Sequence, residues 1–172
     1  MRILLVGEYS RLHNSLKEGL LKLGHEVTII GSGDGFKRFP VDISIKKDYQ
    51  TGFGKKLKVL LFKLFKTDIS AGGVKKQVLK HQDSLKGYDV VQFINESPFN
   101  TCPKTEQELF DFFKKHNKKV FLLSCGTDYI STKYALEKKF RYSILTPLFE
   151  GKVSKQEYAP ILKYTSPSFT AL

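Results

Sequence analysis

The feature that most constrains this chain is a short apolar run close to its N-terminus. Residues 3–6 read ILLV, and Gly7 ends the run. Apolar residues without alternation are typical of a strand that is buried on both faces of a sheet. Residues 11–23 then repeat leucines at helical spacing, and residues 26–31 (EVTIIG) predict a second strand. A strand, a helix and a strand within about 30 residues predict a right-handed βαβ unit with parallel strands.

The alternation of strand and helix continues along the chain. Further strands are predicted at 42–45, 88–95 and 118–125, and helices at 55–66, 72–86, 104–116 and 132–141. Residues 105–108 (TEQE) fit a capping box at the start of the helix at 104–116. We therefore expect an α/β fold. It is a three-layer Rossmann-like open parallel sheet with helices on both faces, in a single domain over residues 1–172.

The first strand exit argues against dinucleotide and P-loop binding. Ligands of such sheets bind beyond the carboxyl ends of the strands. Residues 7–12 read GEYSRL where a dinucleotide site needs G-x-G-x-x-G, and bulky side chains there keep the backbone away from a pyrophosphate. Ser10, His13 and Asn14 are candidates to bind a sugar or phosphate at the helix N-terminus. They fit a role in capping that helix equally well.

The second strand exit is rich in glycine and charge. Residues 31–39 read GSGDGFKRF, with glycine at three alternate positions. Glycine allows a ligand to approach the backbone closely, so Gly33, Asp34 and Lys37 are candidate binding residues. Arg38 offers a further cation. A flexible loop without a ligand would have the same composition.

The third and fourth exits place carboxylates after neighbouring strands. Residues 95–100 supply Asn95, Glu96 and Asn100, and residues 124–128 (SCGTD) supply Gly126, Thr127 and Asp128. A carboxylate at a strand exit can orient or deprotonate a hydroxyl, so Glu96 and Asp128 are the candidate catalytic residues. Asp128 alternatively caps the following helix.

Thiol and metal chemistry are not expected. Cys125 has no histidine placed to activate it, and the chain's two cysteines and four histidines show no metal-ligand spacing. No window approaches the length of a membrane span, and the N-terminus does not resemble a signal peptide. We therefore expect reduced cysteines and a cytoplasmic location.

The charge of the chain predicts an anionic partner. The net charge is +12, and only four of the 29 basic residues are arginines (Arg2, Arg11, Arg38 and Arg141). Readers of nucleic-acid bases rely on arginine, so we expect no nucleic-acid partner. A lysine-rich surface suits diffuse attraction to a membrane or a phosphorylated ligand, and a compositional habit of the source genome would produce it too.

Residues 55–66 (KKLKVLLFKLFK) combine lysines with apolar residues. On a helix they would place leucines on one side and lysines on the other, with no acidic residue, which is typical of a helix lying on an anionic membrane. A surface helix that packs its leucines on the sheet is the alternative. The residues expected to contact a membrane are Lys55, Lys56, Lys58, Leu61, Lys63, Phe65 and Lys66.

In order and spacing, these segments resemble the N-terminal domain of GT-B-fold glycosyltransferases of the family 4 (group 1) type. The segments that carry the resemblance are MRILLVGEYSRLHNSLKEGLLKLGHEVTII, GSGDGFKRFPVDI, YDVVQFIN and VFLLSCGTD. The phrase LLKLGHEVT is typical of that domain. The resemblance covers residues 1–130 well and the remainder loosely.

The resemblance implies the acceptor-binding half of an enzyme that builds cell-envelope polysaccharide. Such enzymes transfer a glycosyl group from a nucleotide-sugar to a hydroxyl of a glycan or lipid-linked acceptor, usually with retention and without a metal or other cofactor. By the same resemblance we expect this chain to lack the nucleotide-sugar domain and the isolated domain to be inactive. Relatives act at membranes, which implies a peripheral location at the inner membrane face.

One departure affects the catalytic assignment. Many relatives carry a histidine at the fourth exit, where residues 124–128 here have none. Either Asp128 replaces it or the polar contact comes from elsewhere. The alternative to an enzyme is a stand-alone Rossmann-like or flavodoxin-like module that binds an anionic partner through its lysines.

Overall fold

A computed structural model describes residues 1–46, 60, 69–123, 129–138 and 142–155. The predicted helix 55–66 with its membrane-contact residues, and the fourth exit with Gly126, Thr127 and Asp128, lie outside the described residues. The chain separates into two compact units, Met1–Leu123 and Ser124–Leu172. Each is described by itself, and the single-domain expectation stays a prediction.

The first unit is built on a parallel sheet. Its five strands are β1 (Arg2–Val6), β2 (Glu26–Gly31), β3 (Ile43–Ser44), β4 (Val90–Phe93) and β5 (Lys119–Leu122). Their spatial order is β3-β2-β1-β4-β5, and every neighbouring pair is parallel. The predicted α/β class with an open parallel sheet is confirmed. The strand order reverses between β1 and β4, which is where ligands of such sheets bind.

The helices of this unit are α1 (Leu12–Lys22), α2 (Ile69–Lys80) and α3 (Pro103–His116). The predicted helix 72–86 ends earlier, and a 3₁₀ turn at Gln82–Leu85 follows it. The second unit contains α4 (Tyr129–Lys138), which begins three residues before its predicted start at 132, and the short α5 (Thr146–Phe149).

One face of the sheet carries α1. Ile3, Leu5, Val27 and Ile29 form a buried cluster against which Leu20 of α1 packs. The other leucines at helical spacing, Leu12, Leu16 and Leu23, are exposed. The helix instead turns the polar side chains of His13 and Asn14 inward, beneath the first strand exit.

The opposite face carries α2 and α3. Phe93 of β4 packs against Phe110 and Phe113 of α3, with ring centroids 5.3 and 5.5 Å apart. Lys75 of α2 donates to Glu108 of α3 at 2.9 Å. The chain runs in opposite directions from the central strands β1 and β4, and helices cover both faces of the sheet, as expected.

The tightest point of the fold is Gly7, directly after β1. Its φ is +88°, and a Cβ there would lie 2.5 Å from Ile94 Cγ2 and 3.0 Å from Pro98 Cβ. A Cβ on Gly31, at the end of β2, would in turn lie 3.2 Å from the Cα of Gly7. Only glycine lets the chain leave β1 this close to its neighbours.

We expect Gly7→Ala to reduce the free energy of unfolding by about 3 kcal/mol, because a strained φ and a steric clash add together. Gly24→Ala is the matched control. Gly24 also has a positive φ, +78°, but nothing lies within 4 Å of an added Cβ, so its cost should be about 1 kcal/mol. Urea denaturation measures both. Equal losses would show that the close packing at Gly7 contributes nothing.

Candidate functional site

Three loops leave the sheet at its carboxyl edge. The first loop (7–11) follows β1, the second loop (32–42) follows β2, and the third loop (94–102) follows β4. They share one edge because the strands are parallel. The predicted strand exits therefore come together in the first unit, apart from the fourth, which the structure does not describe.

A carboxylate joins the first loop to the second. The Ser10 backbone N–H donates to Asp34 Oδ2 at 2.9 Å, and Lys37 Nζ lies 2.9 Å from the same oxygen. Lys37 also donates to Ser10 Oγ at 3.3 Å. Burial raises the pKa of Asp34, but the Ser10 amide and the Lys37 ammonium outweigh it, so the net pKa is below its ordinary value. Asp34 is therefore an ionised tie between the loops at neutral pH.

A tyrosine joins the first loop to the third. The Asn100 side-chain amide donates to the Tyr9 hydroxyl oxygen. Burial raises the pKa of Tyr9, although hydrogen bonds with Asn100 and Asn95 partly offset the effect. The Tyr9 hydroxyl therefore keeps its proton at neutral pH and can donate a hydrogen bond to a ligand.

The joined loops enclose a cleft of about 840 Å³, within the range of small-molecule sites. Tyr9 and Asn100 form one end, and residues of the second loop and β3 form the remainder. The lining residues are Tyr9, Ser32, Asp34, Gly35, Arg38, Phe39, Val41, Ser44, Ile45, Lys46 and Asn100. Two aromatic rings, three hydroxyls, an amide and charges of both signs thus line one space.

A buried histidine supports the first loop from below. His13 is fully buried, and its Nδ1 lies 2.7 Å from the carbonyl oxygen of Gly7. Since a carbonyl only accepts, Nδ1 carries the proton, and Nε2 accepts from Gln92 Nε2 of β4 at 3.3 Å. Burial lowers the pKa of His13 more than the Gly7 carbonyl raises it, so the ring is neutral. His13, predicted to bind substrate, instead holds β1, α1 and β4 together.

A second buried carboxylate caps α1. Glu8 is 2% exposed, and its Oε2 accepts from the backbone N–H of Asn14 at 2.7 Å and from the Asn14 side-chain amide. The sequence offered Ser10 or Asn14 as the cap, and this is wrong. The Ser10 amide is bound to Asp34, and the Asn14 side chain donates to Glu8 and to the Pro40 carbonyl. Glu8 satisfies the free amide at the helix N-terminus, where a carboxylate also complements the helix dipole.

A third carboxylate anchors the third loop. Glu106 Oε1 accepts from the backbone N–H of Thr101 at 2.6 Å, from the Thr101 hydroxyl at 2.8 Å and from the Ser97 hydroxyl at 3.2 Å. The predicted capping box at 105–108 is wrong. Helix α3 already begins at Pro103, so Thr105 lies inside its first turn, and Glu108 pairs with Lys75. Burial raises the pKa of Glu106 against the lowering effect of these hydrogen bonds.

Backbone strain is concentrated in these loops. Among the described residues, the non-glycine residues with positive φ are Ser10, Arg11, Asp34, Arg38 and Asn100. All of them belong to the three loops. Such conformations cost about 1–3 kcal/mol each and persist where surrounding contacts enforce them, commonly at functional sites.

The cleft contains some of the predicted site residues and not others. Asp34 and Asn100 line it, and Ser10, Lys37 and Asn95 bond to residues that line it. Gly33, with φ +69°, serves the turn of the second loop, since its carbonyl accepts from the Phe39 amide at 2.8 Å. Asn14 and Glu96 are buried and do not line the cleft. The catalytic roles of Glu96 and Asp128 stay predictions.

Several cleft residues were not among the predicted site residues. Tyr9 lies inside the predicted first exit, and Ser32, Arg38 and Phe39 lie inside the second. Their position next to a strand exit could have indicated a role in the site. Only Arg38 was identified from the sequence, as a further cation. Ser44 and Lys46 belong to β3 and its end, where the short strand pattern gave no signal of a site.

The described residues contain no group of three His, Cys, Asp or Glu side chains that could hold a metal ion. No helix within the described ranges is long and apolar enough to cross a membrane. Comparisons with protein-family models, with curated proteins and with solved structures gave no match.

The opposite pKa shifts on α3 predict opposite pH dependences. A carboxyl with a raised folded-state pKa contributes stability that is present below the ordinary glutamate pKa of about 4.3 and is lost as pH rises through the folded pKa. Wild type should therefore lose stability relative to Glu106→Gln as pH rises from about 4. Urea denaturation at a series of pH values gives this difference.

Glu108→Gln is the control for that series. The hydrogen bond from Lys75 lowers the pKa of Glu108, so wild type should gain stability relative to this variant as pH rises towards the ordinary glutamate pKa. Curves of the same sign for the two variants, or no pH dependence for Glu106→Gln, would contradict the burial of Glu106 as the cause.

Proposed function

We propose that the cleft binds a sugar-bearing acceptor and that this domain is the acceptor-side half of a glycosyltransferase. The reaction would move a glycosyl group from a nucleotide-sugar, held by a second domain, to a hydroxyl of the acceptor. The observation that carries the proposal is the lining of the cleft. It combines the rings of Tyr9 and Phe39 with the Ser32 and Ser44 hydroxyls and the Asn100 amide.

These groups suit the chemistry of a sugar. A pyranose offers hydroxyls that both donate and accept, and apolar C–H faces that pack on aromatic rings. The protonated Tyr9 hydroxyl and the Asn100 side-chain amide can each serve as donor and acceptor. Asp34 adds a carboxylate that accepts hydrogen bonds from hydroxyls.

The first loop also argues against a dinucleotide. In dinucleotide-binding domains the pyrophosphate lies at the N-terminus of the first helix. Here the Glu8 carboxylate already accepts from the Asn14 amide in the first turn of α1. A pyrophosphate at that place would meet a buried carboxylate of the same sign.

The resemblance implies transfer with retention of configuration and without a metal. From their place at strand exits, Glu96 and Asp128 stay the candidates to orient or deprotonate the acceptor hydroxyl. Glu96 is buried and does not line the cleft, and Asp128 lies outside the described residues, so the cleft itself supports neither role. The lysine-rich segment 55–66 would hold the enzyme at the cytoplasmic face of an anionic membrane, close to a lipid-linked acceptor. The product would be a cell-envelope polysaccharide.

A stand-alone module for an anionic partner is the second candidate. It is favoured by the net charge of +12 and by two cations, Arg38 and Lys46, in the cleft. Such a module would bind its anionic partner without any affinity for neutral sugars.

Titration of the protein with a panel of neutral mono- and oligosaccharides, followed by two-dimensional amide NMR, tests the sugar proposal. We expect shifts in all three loops. Tyr9→Phe should weaken the best binder about fivefold, the cost of one neutral hydrogen bond. Tyr134→Phe, a half-exposed tyrosine that does not line the cleft, should have no effect. A panel that leaves the loop resonances unmoved would overturn the proposal.

A further inference from the structure

We propose that the cleft holds a phosphoryl group of its ligand between Arg38 and Lys46, so that the acceptor is a phosphorylated or phosphate-linked glycan. The inference deepens the proposed function, since it concerns the same cleft. It rests on the charges of the cleft and on the contacts that hold the Lys46 backbone.

The acidic charge in the cleft is already neutralised. Asp34 is the carboxylate among the lining residues, and it accepts from the Ser10 amide and pairs with Lys37 at 2.9 Å. Within the part of the chain that the structure describes, neither the Arg38 guanidinium nor the Lys46 ammonium has an acidic partner. The cleft therefore presents two uncompensated positive charges beside neutral polar groups.

The backbone of Lys46 is held in place, and Arg38 follows a closed turn. Gln77 of α2 fixes Lys46 from both sides, because the Lys46 N–H donates to Gln77 Oε1 at 2.9 Å and Gln77 Nε2 donates to the Lys46 carbonyl at 2.7 Å. Arg38 follows the 3₁₀ turn Gly35–Lys37 with φ +50°, and the next residue, Phe39, donates its N–H to the Gly33 carbonyl at 2.8 Å. Because the Lys46 backbone is already held, binding loses less conformational entropy at that residue.

The pair suits a phosphoryl group better than other anions. A guanidinium can donate to two phosphoryl oxygens at once, and a lysine ammonium supplies a further point charge. A phosphomonoester carries a charge of about −1.5 to −2 at neutral pH, which two cations match. The Ser32 and Ser44 hydroxyls line the same cleft and can donate to the remaining oxygen.

Amide NMR titration with inorganic phosphate, at constant ionic strength near physiological salt, tests the inference. We expect shifts at Gly33, Gly35 and Ser44. The double variant Arg38→Gln/Lys46→Gln should weaken phosphate binding by at least about tenfold, since charged hydrogen bonds contribute more than neutral ones. Each single variant should show part of that loss, so the test survives if the double variant does not fold.

The matched control is Lys22→Gln/Lys80→Gln. Both lysines are exposed at the ends of α1 and α2, and this double variant removes the same charge. It should change phosphate affinity less than about twofold. Gln77→Leu removes the contacts to Lys46 without changing charge and should weaken phosphate binding as well. Equal losses in the cleft variant and the control, or phosphate shifts outside the cleft, would overturn the inference.

Two further arms separate this inference from the proposed function and identify the source of the phosphate. Neutral sugars that bind unaffected by the variants, with no phosphate binding, would overturn the inference and leave the glycosyltransferase proposal standing. Phosphate binding without any sugar binding would support the phosphoryl site at Arg38 and Lys46, but it would remove the sugar proposal and overturn the assignment of the ligand as a glycan, in favour of the stand-alone module. If the protein binds vesicles of phosphatidylcholine and phosphatidic acid through Arg38 and Lys46, the phosphoryl group belongs to a lipid. If it binds inorganic phosphate but not these vesicles, the phosphoryl group belongs to a soluble ligand.

Discussion

The close approach at Gly7 is the constraint on which the rest of the site depends. Without a side chain, the backbone leaves β1 against Ile94 and Pro98 of the third loop and beside Gly31 at the end of β2. Parallel strands bring three loops to one edge, and at Gly7 the first loop packs directly against the third. The Ser10–Asp34 and Tyr9–Asn100 hydrogen bonds join the first loop to the second and to the third.

Two buried carboxylates stabilise the carboxyl edge of the sheet. Glu8 caps α1 and Glu106 holds the third loop, so residues that could be mistaken for an acid–base pair are structural. Glu106 Oε1 accepts from a backbone amide and two hydroxyls. Glu8 Oε2 accepts from the backbone and side-chain amides of Asn14, whereas the buried Glu8 Oε1 has no hydrogen-bond partner among the described residues. Besides the Asp34–Lys37 ion pair, the cleft presents neutral groups at Tyr9 and Asn100 and cations at Arg38 and Lys46.

The sheet could be predicted from the sequence because strands and helices leave local patterns, namely apolar runs and leucines at helical spacing. The sequence also predicted that the exits meet, since parallel connectivity dictates that result. It could not predict which polar residues face the cleft. Glu8, His13 and Asp34 look alike as polar loop residues, yet the first two point inward and the third lines the cleft. That choice depends on left-handed residues such as Ser10 and Arg11, which no pattern reveals.

The most direct measurement of whether the loops form one unit is amide hydrogen exchange at Ser10. Its N–H donates to Asp34 across two loops at 2.9 Å, although Ser10 itself is exposed. The account predicts that this amide exchanges at least about tenfold more slowly than an open loop amide. Asp34→Ala should abolish the protection while the Thr101 amide, bound to Glu106, keeps its own. Fast exchange of Ser10 in the wild-type protein would contradict the joined edge from which the site is built.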